Sequence, residues 1–501
     1  MLFLIIVQLY SVPIVLKVLG VSDYGLYNVV GGLVTLFSFI GGSLASGSQR
    51  FMAYAIGRND NAELKKIFNT TITLYLIFSI VAILILETIG LWFLNHKIDI
   101  APDRLYAAKW VFQLSLLTFV VNLVSIPYNS AVIAHEKMSI YAYISILECI
   151  LKLLIAITLP YFFTDKLITY ALLLCIISIF IRFIYQIYCR SQFIECKKVK
   201  LSIKSNISKN LLTYSGWNVV GSFALILRQQ GINIVINLFF GTLLNAAHSI
   251  AQQVSGVLSQ FINNVYVATR PQITKLFAIE QYADMWDLTF RSSKLVFFLA
   301  SYLCIPLLLE IETILQIWLR NVPTYSSQIA FLMIITLLIE TLVNQIIGVF
   351  QAANKIKTYQ LFSSTILLMN VPASYCILTI SFNNPLIPYI ISCIISLVYI
   401  TSILIIAKKE IHLDIKKYVV EIIAKDIEVF SLAFTLSFIC IRMIPPSILR
   451  LILTIIIATI ITTIIIWIIG LDSLEKSYIK NFLLKKYTKY ENTKDHSGNR
   501  L

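Results

Sequence analysis

Charge is what this chain has least of. Only 13% of its 501 residues are Asp, Glu, Lys or Arg, about half the ~25% usual in a soluble protein. Acidic residues are scarcer than basic ones, 25 against 40. A soluble chain of this length would divide into about three domains joined by polar linkers. The longest polar stretches are residues 190–210 and 471–501, and neither reaches the ~50 residues an independent domain requires. The eight cysteines form no Cys-x-x-Cys pair and the five histidines are scattered, which excludes a zinc site and a disulfide framework. Gly-rich phosphate loops, GxSxG and HExxH are also missing, so the familiar hydrolase and nucleotide-binding signatures are excluded. The sequence points to no enzyme, no resident metal and no cofactor.

Apolar residues fill the space instead: 58% of the chain is hydrophobic and the mean hydropathy is +0.84. Runs of membrane-spanning length recur from end to end. They predict an all-α integral membrane protein with about 14 transmembrane helices, near 1–19, 27–56, 69–94, 110–134, 140–163, 167–189, 211–239, 244–274, 295–317, 327–352, 359–381, 387–406, 420–443 and 449–470. The connections on one side, with the C-terminal tail, carry 26 Lys and Arg, against 5 on the other. That asymmetry places the basic side, and with it both termini, in the cytoplasm. The run from Met1 starts directly in apolar sequence, without the charged start or cleavage site of a signal peptide. It predicts a first helix that begins upstream of Met1 and kinks at Pro13.

Spans one to six and seven to twelve form two blocks of even helix number, hence a parallel repeat. The predicted organisation is an N-lobe (1–189), a basic cytoplasmic linker (190–210), a C-lobe (211–406), two further helices (407–470) and a basic cytoplasmic tail (471–501). Lys197, Lys198, Lys200 and Lys204 in the linker read as a topology signal rather than a nucleic-acid site. The repeat has a weak echo in the residues. LGVSDYG leads from Gly20 to Arg50 thirty residues on, and LFFGTLLNAA leads from Gly241 to Arg270 twenty-nine residues on.

Ionisable groups at membrane depth are costly and therefore functional candidates. Arg50, Arg228 and Arg270 stand out, with Gln229, Gln230 and Asn263 beside them. A guanidinium offers a planar fork of donors suited to phosphate oxygens, so these six residues predict an anion site, most simply for a diphosphate. The competing reading for the arginines is snorkelling to lipid headgroups. Glu148 and Lys152 predict an ion pair on one helix face. Arg182 reads as an end-of-helix anchor, and Glu87, Glu310 and Glu312 as interfacial groups. Glu340, with Asn344 and Gln345, reads as a polar helix–helix contact or a coupling-cation site.

LGVSDYGLYNVVGGLVTLFSF, followed by GSQRFMAYAIG, resembles the opening of bacterial oligosaccharide flippases of the multidrug/oligosaccharidyl-lipid/polysaccharide exporter (MOP) superfamily. IPYNSAVIAHEKM (126–138), GWNVVGSFALILRQQGINIVINLFFG (216–241) and NAAHSIAQQV (245–254) resemble the same proteins. The resemblance implies a MATE-like fold: two six-helix lobes around a central cavity, with two extra C-terminal helices. It also implies alternating access, and as cargo an undecaprenyl-diphosphate-linked oligosaccharide for lipopolysaccharide (O-antigen) or capsule synthesis. In related flippases arginines on the second and eighth helices meet the diphosphate, and Arg50 and Arg270 match those positions. Further implications are a monomer in the bacterial inner membrane, driven by a proton or sodium gradient, in contact with membrane lipids and a polysaccharide polymerase. The rivals are a drug/cation antiporter of the same superfamily and a non-transporting scaffold for glycan assembly.

Overall fold

The computed structural model describes residues 38–96, 102–162, 165–201, 205–319, 322–380, 384–442, 444–473 and 475–477, together with 7, 14, 15, 17–20, 23, 26, 27 and 30. Most of the first predicted span, including Pro13, and the tail beyond 477 lie outside the described residues. The described residues form helices, and none is in a strand. They are α1 (Ser38–Gly57), α2 (Asn61–Ile85), α3 (Leu105–Ala134), α4 (Met138–Thr158) and α5 (Lys166–Gln192). A long helix, Ser205–Ala278, breaks at Gly241 and so supplies α6 (205–240) and α7 (242–278). After these come α8 (Tyr282–Leu309), α9 (Ser326–Thr341), α10 (Asn344–Ala352), α11 (Ile356–Leu368), α12 (Asn370–Ile380), α13 (Ile387–Ile411), α14 (Ala424–Ile441) and α15 (Ile448–Ile465).

Nine helices among the described residues are long and apolar enough to cross a membrane, and α9 with α10, bent by 41°, makes a tenth. Where their residues are described, the predicted spans from the second to the fourteenth fall mainly on helix. The chain is a multi-pass membrane protein. Several helices begin earlier than predicted, α2 at Asn61 rather than 69 and α6 at Ser205 rather than 211, and the largest difference is at α8, which begins at Tyr282, where the sequence suggested a loop until 294. The segment from 282 to 294 is polar enough to lie outside the bilayer, yet Met285, Thr289, Ser292 and Lys294 are buried against the rest of the chain. Packing, not hydropathy, extends this helix.

The turns expose the repeat. Asn59, Glu136, Glu280 and Asn354 all have φ between 56 and 62°. In each case the next residue's N–H reaches five residues back: Asp60 to Ala55, Lys137 to Val132, Gln281 to Leu276 and Lys355 to Phe350. This is the Schellman closure of a helix, with a left-handed residue after the last turn. Two such turns lie in each half of the chain, in the same order, all on connections of the basic side. On the other side, Gly20 and Gly241 share φ of 78 and 74°, a region open to glycine at little cost. The two glycines that open the sequence echo therefore also share a positive φ.

The buried apolar core is divided between the halves. Its largest cluster runs from Tyr214 to Leu471, while the other clusters draw on residues up to Cys196. From the first half, α1 lies against the Ser205–Ala278 helix. A Cβ on Gly47 would stand 2.7 Å from the Ser215 hydroxyl, and one on Gly57 2.8 Å from the Lys275 backbone. Those glycines permit the close approach of the halves on the basic side.

Candidate functional site

A cavity of about 480 Å³ lies where the halves meet. The first half contributes Ser43 and Ser46 from α1. The second contributes Asn218 and Ser222 from α6, Asn263 and Arg270 from α7, and Glu340, Asn344, Tyr359, Gln360, Ser363 and Tyr399 from α9, α10, α11 and α13. The Ser43 and Ser222 hydroxyls, 3.1 Å apart, join its two walls. Hydroxyls and amides dominate the lining. Arg270 brings the cavity a positive charge, and its guanidinium makes no hydrogen bond or ion pair with any described residue. Two turns of helix separate Arg270 from the basic-side end of α7.

Arg50 sits at the basic edge of the same seam but does not line the cavity. Its Nε donates to the Gln351 carbonyl and its Nη2 to the Ala352 carbonyl, both at 2.9 Å. These carbonyls are among the last of α10, which lack partners within the helix and carry the negative end of its dipole. The guanidinium carbon lies 4.5 Å from the centre of the Phe51 ring and 5.6 Å from that of Tyr214. A residue of the first half thus caps a helix of the second.

A second cross-link reinforces this one. Glu136, in the left-handed turn between α3 and α4, accepts from Lys275 Nζ at 2.6 Å and from Gln272 Nε2 at 2.9 Å. Burial alone would raise the Glu136 carboxyl, but the bonds from Lys275 and Gln272 hold it below the usual glutamate range. With Arg50, this pair ties the basic-side ends of the halves together.

Arg228 is placed differently. It lies on α6 inside the second half, where its Nη1 pairs with Glu340 Oε1 at 2.8 Å. Ser396 donates to the same oxygen at 2.8 Å. The pair borders a second cavity, about 280 Å³, also lined by Gln229, His248, Gln252, Thr336 and Tyr389. Glu340 lines both cavities and forms part of the wall between them.

Of the six residues the sequence singled out, Arg270 and Asn263 meet in the central cavity, and Arg228 and Gln229 meet in the second. Arg50 stands at the seam, and Gln230 is exposed and lines neither cavity. A single converging arginine cluster therefore does not form, because α6 presents Arg228 to Glu340 and away from the seam. The Glu148–Lys152 pair forms at 2.6 Å as expected. Arg182 is no end anchor: it lies well inside α5, over the Tyr128 ring at 5.4 Å. Glu310 does lie at the end of α8, yet it is buried and bound by Arg450 at 2.6 Å. Gln345 bonds Thr269 across helices, and Glu340 bonds Arg228, both as polar helix–helix contacts.

Sequence reasoning missed Glu136, Lys275 and Gln272, since nothing local marks a contact 139 residues long. Among the described residues no three His, Cys, Asp or Glu side chains gather to hold a metal.

No family model and no curated protein matches this sequence. Solved structures do match in shape. A point mutant of a MATE protein superposes with a TM-score of 0.68 at 13% identity, over 83% of this chain and 95% of that one. The MATE transporter ClbM in complex with Rb+ gives 0.65 at 14% identity, over 80% and 91%. A MOP superfamily transporter from Pyrococcus furiosus, described as having a binding pocket of reverse polarity, gives 0.59 at 13%, over 81% and 95%. The chain therefore has the MATE-like fold.

Proposed function

We propose that this protein is a transporter that turns an oligosaccharide carried on undecaprenyl diphosphate from one membrane leaflet to the other by alternating access. The observation that carries the reading is Arg270: a cation that no described carboxylate pairs, in a cavity whose polar lining is mainly hydroxyls and amides and whose one carboxylate, Glu340, is held by Arg228. A guanidinium binds phosphate oxygens with two parallel donors, while Ser, Asn, Gln and Tyr side chains suit the hydroxyls of a sugar. In this reading the basic side faces the cytoplasm of a bacterial inner membrane. Arg50 would exchange the Gln351 and Ala352 carbonyls for the cargo's phosphate as the halves part on that side. The driving force would be a proton or sodium gradient, and the product would feed lipopolysaccharide or capsule assembly, with a polymerase as the partner downstream.

A drug/cation antiporter is the second reading, because transporters of this fold include a multidrug resistance MATE family member. It is less well served here. A cationic drug entering the central cavity would meet Arg270, and Glu340 is already held by Arg228 and Ser396.

Mass spectrometry of lipids that co-purify with the wild type and with an Arg50→Ala, Arg270→Ala double variant tests the proposal. Polyprenyl diphosphate sugars on the wild type and not on the variant are the expected outcome. Their absence from the wild type, despite their presence in the membrane extract, would favour the antiporter.

A further inference from the structure

The second cavity contains a group that the transport reading does not use. His248, on α7, is 2% exposed. Its Nδ1 lies 2.7 Å from the Tyr389 hydroxyl on α13. Its Nε2 is buried, has no hydrogen-bond partner, and belongs to a side chain that lines the cavity. The charged or titratable residues lining that cavity are Arg228 from α6, Glu340 from α9, Tyr389 from α13 and His248 itself. His248 is seven positions beyond the bend at Gly241, and Tyr389 two positions beyond the start of α13 at Ile387. Both are therefore about 10 Å or less from the helix ends opposite the basic side.

A buried polar atom without a partner costs free energy, so its retention needs a reason. An imidazole with one nitrogen bonded and the other open to a cavity is a proton acceptor held in place. When Tyr389 accepts from Nδ1–H, the lone pair of Nε2 is free for a second proton. The result is an imidazolium in a space that also contains Arg228 and a single carboxylate, Glu340. Two cations then compete for one anion at membrane depth, where an uncompensated charge costs several kcal/mol. The strain is relieved if Arg228 releases Glu340 to the imidazolium and turns towards the central cavity, where Glu340 already forms the wall.

We propose that Nε2 of His248 is the binding site of a coupling proton, received from the side opposite the basic face and communicated to the central cavity through Glu340 and Arg228. The proposal rests on the transporter reading above and names its driving ion as the proton. Because linkage is reciprocal, a proton on His248 favours an anion near Arg228, and the anion favours the proton.

The test needs no cargo. Amide hydrogen exchange is compared in lipid nanodiscs between about pH 4 and about pH 8, the range of an ordinary histidine extended downwards for a buried ring, with correction for the intrinsic rate. The wild type is expected to exchange several-fold faster at the lower pH in peptides from 205–278 and 387–411. His248→Gln, which keeps a polar side chain but cannot hold a second proton, is expected to lose that difference. Tyr389→Phe, which leaves the imidazole in place, is expected to shift its midpoint. A wild type without the pH difference, or a His248→Gln protein that keeps it, would overturn the proposal. If His248→Gln does not fold, an unshifted midpoint in Tyr389→Phe overturns it. Lipid co-purification reports separately on the cargo: a pH response that depends on His248, in a protein that carries no polyprenyl lipid, would keep this site and remove the flippase reading.

Discussion

The two cavities share Glu340 but are electrostatic opposites. In the central one Arg270 has no carboxylate partner among the described residues, and apart from Glu340 the polar lining is neutral hydroxyls and amides. In the second one Arg228 spends its charge on Glu340 at 2.8 Å, with Ser396 completing the carboxylate. Residues of the same type, read from the sequence as members of one site, are thus a potential ligand in one place and a structural brace in the other. The difference teaches that an intramembrane arginine is defined by what answers its charge. A paired cation is already neutralised and gains little from a bound anion, whereas an unpaired one gains much.

That contrast can be broken most severely from the second cavity. Arg228→Leu should leave Glu340 with its charge uncompensated, at a cost of about 3–5 kcal/mol, seen as a large fall in thermal midpoint. Arg228→Leu with Glu340→Leu should recover most of it. If the single change costs as little as the double, the pair is not a brace. Arg270→Ala should do the reverse. Its thermal midpoint should stay near wild type, while affinity for undecaprenyl diphosphate falls about 10- to 100-fold. That is the loss of one charge-assisted phosphate contact worth about 1.5–3 kcal/mol, measurable by native mass spectrometry or calorimetry.

Gly241→Ala sharpens the comparison by disturbing the bend that sets α6, with Arg228, against α7, with Arg270. No atom lies within 4 Å of the added Cβ, so the cost should be backbone strain alone, about 1–3 kcal/mol for a side chain forced into this glycine-only region. An equal loss at an exposed helical glycine such as Gly216 would refute that explanation. The smallest effect is expected at the seam. Glu136→Gln should weaken the tie to Lys275, a partly exposed pair, by about 0.5–1 kcal/mol. Since the Glu136 carboxyl is depressed from an ordinary 4.5, its contribution should be complete above that pH and disappear as the pH falls through the lower value of the closed state. Cross-linking of cysteines placed on opposite sides of the seam would follow this.

The helices among the described residues were legible because hydropathy is a one-dimensional property: each helix must present apolar side chains to lipid wherever it packs. The early start of α8 was not, because Met285 and Thr289 are buried by protein rather than by lipid. The Glu148–Lys152 pair was legible because four residues make one helical turn. Arg182 was misread because its place depends on Tyr128, which belongs to a different helix.

The sequence by itself determined the class of molecule, the all-helical fold and the basic side, all properties of composition or of short local patterns. It also found the arginines, since their cost at membrane depth makes them conspicuous anywhere in an apolar run. Only the tertiary structure decided what each arginine does. Arg50 caps α10 301 residues away, Arg228 pairs with Glu340 112 residues away, and Arg270 is left facing an open cavity. A charge is answered by whatever lies within a few ångströms in space, and in a bundle of helices that neighbour is set by how the helices pack.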